Sequence, residues 1–484
     1  MKLTELTKDL PCTLLQGDFE RDITALIYDS RKVVPGSLFV CVSGTVSDGH
    51  KYIPMALERG AAVLAVEHPV DGIPESVTVL QVESGRRALA VLSAAWFGHP
   101  ARELTTIAVT GTKGKTTTTY MIHDILEKSG CRAGLIGTVE ILTGAERIPS
   151  EHTTPESYVI HRYLREMADN GCRCAVLEVS SQALKLDRTA GIEFDYGIFT
   201  NLSPDHLSPL EHASMEEYAG CKAMLFRQCR VGLFNADSEA SRVMMDGCTC
   251  AVQTYGIHHP ADWQASAESL GRKGISLHMI APEQETLFVD LPGEFSAYNA
   301  LAALAVCRNM KIDPAEIAKA LAVVQVRGRM ERLPLPNGSE IMIDYAHNAI
   351  SLESLLTALR PCVDGRLICV FGCGGNRARE RRFEMGAVSA KLADITVVTS
   401  DNPRYEEPMD IIHDIETGVH GAGGTCTTIP DRKEAIRWAI SHAQPEDLVI
   451  LAGKGHELGQ EIKGVIHPMD ERTLVREVLA EGAQ

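Results

Sequence analysis

Short apolar runs that end in polar clusters recur along this chain, with helical spacing between them. Residues 104–109 form an apolar, β-branched run that predicts a buried strand. Tyr120, Met121, Ile122, Ile125 and Leu126 then recur at helical spacing until Ser129-Gly130 interrupts the pattern. Upstream, a strand from Ala25 ends in Asp29-Ser30-Arg31, and a second from Ser37 ends at Ser43-Gly44. A helix over 52–59 and a strand from Ala61 follow. Downstream, a strand from Cys174 ends in Glu178, Ser180 and Ser181, and one from Tyr196 delivers Asn201, Asp205 and His206. Residues 262–290 alternate in the manner of strands and precede an Ala-rich helix over 297–308.

Four more apolar runs close the chain. They end in Asp344-Tyr-Ala-His-Asn, Gly372-Cys-Gly-Gly-Asn-Arg, Asp401-Asn-Pro-Arg and Ala452-Gly-Lys-Gly-His-Glu. Helical patterns between the runs imply mostly parallel sheets, whose ligands lie beyond the carboxyl ends of the strands. The expected class is therefore α/β in three domains, 1–102, 103–326 and 327–484, the last Rossmann-like.

A chain of 484 residues is too long for one core, which agrees with three domains. A formal net charge of −17 argues against a broad nucleic-acid surface, although local clusters of Arg and Lys can still bind anions. The 14 cysteines form no CxxC pair. Cys172/Cys174 and Cys248/Cys250 are spaced so that a strand would point each pair to one face, but buried free thiols in a reducing compartment are the expectation. The start has no signal-peptide pattern and no apolar run is long enough to span a bilayer, so a cytoplasmic protein is expected, with no nucleic-acid or membrane partner.

The chemistry centres on Gly111-Thr112-Lys113-Gly114-Lys115-Thr116-Thr117. A Gly-rich turn between strand and helix aims backbone N–H groups at phosphate. Lys115 would meet the β/γ-phosphates and the Thr116 hydroxyl would ligate Mg²⁺. The full P-loop pattern has Gly five residues before Gly114, where this chain has Val109. Glu178 and His206, at neighbouring strand ends, are the candidate further metal ligands. Read from spacing alone, Lys222 is an ordinary exposed lysine and Asn299 a helix cap. Asp29 and Arg31 either grip a ligand or merely pair at the surface. Arg377, Arg379, Arg381 and Arg382 form the one dense basic patch, whose forked guanidiniums suit an anionic ligand.

These motifs, with Glu178-Val-Ser-Ser, Asn201-Leu-Ser-Pro-Asp-His, Met215-Glu-Glu-Tyr and Gly328-Arg-Met-Glu, resemble the Mur ligases across essentially the whole chain. Those are ATP-dependent amide-bond-forming enzymes of peptidoglycan precursor synthesis. The resemblance implies a UDP-binding first domain, a central ATPase domain and an amino-acid-binding third domain. It implies meso-diaminopimelate added to the D-Glu γ-carboxyl of UDP-MurNAc-L-Ala-D-Glu through an acyl phosphate. By resemblance, Ser30 and Arg31 hold the uridine diphosphate, and Thr153, Thr154, Ser180 and Arg188 the muramoyl dipeptide. Asn299, Arg329, Asp344 and His347 complete the ATP site. Thr116, Glu178, His206 and Lys222, the last as its carbamate, serve magnesium, with Lys115, His206 and Lys222 catalytic.

Arg377, Asp401, Asn402, Arg404, Gly453 and Glu457 would read the incoming amino acid. Arg404 implies an acceptor with a distal carboxylate, because lysine-adding members lack that arginine. The chain departs from the family pattern over 207–214, over 348–351 and at Leu186. Other readings are a ligase adding L-lysine or another diamino acid, a folylpolyglutamate synthase, and a nucleotide-gated binding protein without turnover. A monomer acting on small molecules is expected.

Overall fold

The computed structural model describes residues 1–44, 47–204 and 211–482. It divides into two compact units: Met1–Gln264 with Leu301–Ile317, and Ala265–Ala300 with Ala318–Gln484.

The first unit opens with strands β1 (Thr13–Gln16), β2 (Leu26–Ile27), β3 (Leu38–Val40), β4 (Val63–Val66) and β5 (Thr78–Gln81). Their order is β1-β5-β4-β3-β2, parallel except for β1. The helix Gly85–Trp96 packs its apolar face (Leu89 and Leu92) beside Leu38 and Leu80 of this sheet. Phe97 then meets Tyr158 edge-on at 5.1 Å, and Tyr28 lies 5.9 Å from the same ring.

The second sheet of this unit holds β6 (Thr105–Thr110), β7 (Ala133–Ile136), β8 (Glu140–Leu142), β9 (Arg147–Pro149), β10 (Cys174–Glu178), β11 (Phe194–Phe199), β12 (Cys229–Asn235) and β13 (Ala251–Gly256). The order β13-β12-β11-β6-β10-β7 is parallel throughout, with β8 and β9 added antiparallel at one edge. Fully buried Ile136, Leu164, Leu177 and Phe199 share its core, and burying each such side chain stabilises the fold by about 2 kcal/mol. Glu178 pairs in register with Val109, so it ends its strand beside the turn that follows β6.

Strand β14 (Trp263–Ser269) follows β13, and its first two residues pair with it in parallel. In the second unit β15 (Ile275–Ala281) and β16 (Thr286–Val289) form an antiparallel hairpin, which accounts for the alternation over 262–290. The last sheet holds β17 (Glu331–Pro334), β18 (Glu340–Asp344), β19 (Leu367–Phe371), β20 (Ile395–Val398), β21 (Cys426–Thr428) and β22 (Leu448–Ala452), in the order β17-β18-β22-β19-β20-β21. The four apolar runs are thus four adjacent parallel strands, and their polar ends share one edge. A small hairpin, β23 (Gly459–Ile462) with β24 (Val465–Pro468), follows.

Two sequence expectations fail here. Asn299 does not cap its helix, which begins at Glu294 and carries Asn299 a turn inside, buried. The C-x-C pairs do not lie along strands: Cys172, Cys248 and Cys250 precede β10 and β13, so the one-face argument does not apply to them. All 14 cysteines are free thiols. No described helix is long and apolar enough to cross a membrane.

Candidate active site

The turn after β6 is shaped by two glycines. Gly111 has φ +146°, and a Cβ there would stand 1.9 Å from the Thr200 hydroxyl oxygen. Gly114 has φ +86° and starts the helix Lys115–Lys128. Both conformations suit residues without a side chain. Val109 is a fully buried core residue of the strand, so the turn begins at Gly111 instead of at the position the full P-loop pattern expects.

Two lysines converge on this loop. Lys115 Nζ donates to the carbonyls of Gly111 (2.9 Å) and Thr112 (3.0 Å). Lys222 Nζ donates to the same Gly111 carbonyl at 2.9 Å and lies 4.3 Å over the Tyr218 ring. Tyr218 in turn hydrogen-bonds the Thr112 hydroxyl at 3.1 Å. Lys222 is only 1% exposed, which overturns the reading of an ordinary surface lysine. A cation is buried at such cost only where oxygens receive it, and helical spacing could not reveal an acceptor 111 residues away.

Glu178 is wholly buried at the mouth of the loop. Its Oε2 accepts hydrogen bonds from the hydroxyls of Thr116 (2.9 Å) and Thr138 (3.0 Å), and its Oε1 from the Thr138 backbone N–H (2.8 Å). Thr138 also reaches the Thr153 hydroxyl at 3.0 Å. The Thr154 hydroxyl donates to the Glu178 carbonyl (2.8 Å) and accepts from Ser180 N–H (3.1 Å), while Arg188 donates to the Thr154 carbonyl (2.8 Å). Thr116, Thr153, Thr154, Glu178, Ser180 and Arg188, drawn from separate stretches, therefore form one cluster. Thr138 was not singled out from sequence; its only signal is its place just past a strand end.

Other first-unit candidates are placed differently. Lys113 N–H donates to Asn201 Oδ1 (3.0 Å), which fastens the loop to the end of β11. Arg31 is held by Asp29 through Nε and Nη2, both at 2.9 Å, with its side chain mostly exposed, while Ser30 is buried. In this structure they pair with each other. His206, the candidate catalytic and metal residue, and Asp205 lie outside the described residues.

In the second unit, Asp344 accepts from Met330 N–H and Ala346 N–H, both at 2.9 Å. Arg329 lies 4.7 Å over the Tyr345 ring, which also packs on His347 (4.6 Å) and His456 (4.8 Å). Burial, followed by Arg329, Arg472 and Arg327, pushes His456 down to about 3, so it stays neutral.

The Asp401–Arg404 turn meets the Gly372–Arg377 and Gly453–Glu457 turns. Gly375 N–H donates to the Asn402 carbonyl (2.9 Å), and Arg404 Nη1 to the Gly375 carbonyl (2.8 Å). A Cβ on Gly453 would lie 2.9 Å from Asp401 Oδ2. Lys454 is fully buried and donates to Asn402 Oδ1 (2.8 Å), Glu457 Oε2 (2.5 Å) and the Gly459 carbonyl (2.6 Å). Sequence reasoning passed over this lysine although it stands inside a motif it had noted.

Only part of the basic patch remains available to a ligand. Arg379 and Arg382 both grip Asp414, and Arg382 also forks onto Glu406. Arg379 first, with Arg382, holds the Asp414 carboxyl below its usual range. These two arginines are structural, which corrects the reading of the whole patch as an anion site. Arg377 is exposed, and Arg381 half-buried.

Three family models match in chain order: the Mur ligase family catalytic domain over residues 22–97, the Mur ligase middle domain over 109–307, and the Mur ligase glutamate ligase domain over 328–455. Relatives match over nearly the full length. A UDP-N-acetylmuramoyl-L-alanyl-D-glutamate–2,6-diaminopimelate ligase of Geobacillus thermodenitrificans is 40% identical, covering 99% of this chain and 100% of its own. The ligase of the same name from Caldanaerobacter subterraneus is 39% identical, covering 99% of each chain. The chain belongs to the Mur ligase family.

A solved structure of a ligase with that same name superposes on this Mur ligase with TM-score 0.73 at 27% identity, covering 100% of this chain and 99% of the other. MurF of Acinetobacter baumannii, at 18% identity and TM-score 0.64, shares the fold. The mixed α/β architecture with its parallel-rich sheets is thus that of the family.

Proposed function

We propose that this Mur ligase joins meso-2,6-diaminopimelate to the D-Glu γ-carboxylate of UDP-MurNAc-L-Ala-D-Glu at the expense of ATP, in peptidoglycan precursor synthesis. The support is the identity near 40% over the whole chain to ligases so named. The acceptor rests on one observation, Arg404 standing at the junction of three strand-end turns. Domains 1–102, 103–326 and 327–484, a monomeric state and a cytoplasmic location, where ATP and the UDP-sugar are at hand, belong to the same proposal.

The γ-carboxylate oxygen attacks the γ-phosphorus of ATP, whose bond to the ADP oxygen breaks, so that an acyl phosphate forms and ADP departs. The acceptor amine then attacks the acyl carbon, loses a proton, and inorganic phosphate departs. Two anions have to meet in the first step. Lys115, on the loop carbonyls, is placed to turn toward phosphate and offset their repulsion. Gly111, Thr112, Lys113, Gly114 and Thr117 cradle the phosphates, and Asn299, Arg329, Asp344 and His347 hold the rest of ATP. Ser30, Arg31, Thr153, Thr154, Ser180 and Arg188 hold the UDP-muramoyl dipeptide. Arg377, Asp401, Asn402, Arg404, Gly453 and Glu457 orient the acceptor.

Glu178 and Thr116 present hard oxygen donors, a set that suits Mg²⁺. With His206, and with Lys222 as a carbamate made from its amine and CO₂ with loss of one proton, they would hold the metal. Bound Mg²⁺ supplies charge neutralisation for the phosphoryl group.

The test is phosphate release with UDP-MurNAc-L-Ala-D-Glu, ATP and Mg²⁺, comparing meso-diaminopimelate with L-lysine. Strong preference for diaminopimelate is expected, reduced about 100-fold or more in Arg404→Ala. Preference for lysine would overturn the acceptor. ADP release that persists in Lys222→Ala would overturn the assignment of Lys222 to turnover.

A further inference from the structure

Arg404 is half of an ion pair before any acceptor arrives. Its Nε donates to Glu461 Oε2 at 3.2 Å, and its backbone N–H donates to the Glu461 carbonyl at 3.0 Å. Both side chains are partly exposed, 23% for Arg404 and 35% for Glu461, so the pair faces a space that solvent reaches. Three anchors hold this arrangement. Arg404 sits at φ +54°, with Nη1 on the Gly375 carbonyl. Glu461 N–H donates to Asn402 Oδ1 at 2.9 Å, and the Lys463 N–H donates to the Arg404 carbonyl at 2.6 Å. Glu461 lies on β23, whose pairing with β24 stiffens it.

Two neighbouring acids already hold other partners. Glu457 Oε2 receives Lys454 and Asn402, and Glu406 receives Arg382 and the Asn376 N–H. Glu461 is the carboxylate in direct contact with the Arg404 guanidinium.

We infer that Glu461 is a specificity-determining residue: with Arg404 it makes the distal subsite demand a zwitterionic α-amino-acid end, not a bare carboxylate. The inference rests on the acceptor site proposed above. A bare carboxylate arriving at Arg404 displaces Glu461 or lies beside it, and either leaves one negative charge without its cation. A distal group carrying both COO⁻ and NH₃⁺ leaves none. Its carboxylate takes the free edge of the guanidinium and its ammonium takes the Glu461 oxygens. A bare ammonium, as in lysine, meets Glu461 but is repelled by Arg404.

The experiment compares meso-diaminopimelate with 2-aminopimelate, the same seven-carbon diacid without the distal amine, in the full-length protein and in Glu461→Gln. Glutamine keeps an acceptor for Arg404 Nε and removes the charge. The parent should prefer diaminopimelate in kcat/KM by about tenfold or more, the size of one charge-assisted hydrogen bond. Glu461→Gln should bring the ratio toward unity by raising activity with aminopimelate and lowering it with diaminopimelate. An unchanged ratio in the variant overturns the inference while the acceptor site stands, provided Arg404→Ala still impairs both substrates. No phosphate release from the parent with either diacid removes the acceptor site itself, and this inference with it.

Discussion

Lys115 and Lys222 donate to one carbonyl oxygen, that of Gly111, and this shared acceptor shows how single residues carry the site. A carbonyl that receives two cations stays polarised. Both lysines donate to backbone carbonyls, where an incoming phosphate can compete. Glu178 accepts three hydrogen bonds from Thr116 and Thr138. His456 shows the opposite case, a group kept uncharged. Its folded value of about 3 lies below the ordinary value near 6.5, so in that window the unfolded chain binds a proton that the folded one refuses. The stability this contributes is present above about pH 6.5 and is lost, at up to about 1.4 kcal/mol per pH unit, as pH falls toward 3. Urea midpoints should therefore fall between pH 7 and 5, with a smaller drop in His456→Gln; equal slopes in both proteins would contradict this.

At the scale of elements, the last sheet is tied together by charges taken wholly out of water. Arg432 and Glu471 are each 1% exposed and lie 2.7 Å apart. Arg432 opens the helix Arg432–His442 and also donates to the carbonyls of Ser400 and Ala452, at the ends of the two strand runs that flank β19. Glu471 starts the helix Glu471–Gly482. One ion pair thus fixes two helices and two strand ends beneath the Asp401 turn. Removing one partner leaves a buried charge without its mate, so Glu471→Ala should cost about 3–5 kcal/mol in denaturant unfolding, whereas replacing both residues by apolar ones should cost far less. Similar losses in the single and double variants would show that the pair acts by packing alone. Elements were also the scale at which sequence reasoning succeeded best. The four apolar runs became β18, β19, β20 and β22, because parallel strands buried on both faces leave an unbroken apolar signature.

For the whole molecule, the proposed chemistry sets a condition. Lys115, proposed to meet the γ-phosphate, belongs to the first unit and Arg404, proposed to meet the acceptor, to the second, and on that proposal the reacting atoms must come to contact distance for the amide to form. Small-angle scattering should show a smaller radius of gyration when an ATP analogue, the UDP-dipeptide and the acceptor are all present than when any one is omitted. An unchanged radius would argue that the reacting groups meet without domain movement. The sequence by itself determined the α/β class, the order of the strand-end motifs and the phosphate loop, because period, β-branching and glycine placement are local properties of the chain. It also carried the family resemblance, since those motifs recur in order. Only the tertiary structure decided that Lys222 is buried on the loop, that Arg379 and Arg382 are consumed by Asp414, that Lys454 underlies Asn402 and Glu457, and that Glu461 sits against Arg404. In each case a long side chain's role depends on which distant oxygen it reaches. That distance is set by how strands and helices pack, and local spacing does not encode it.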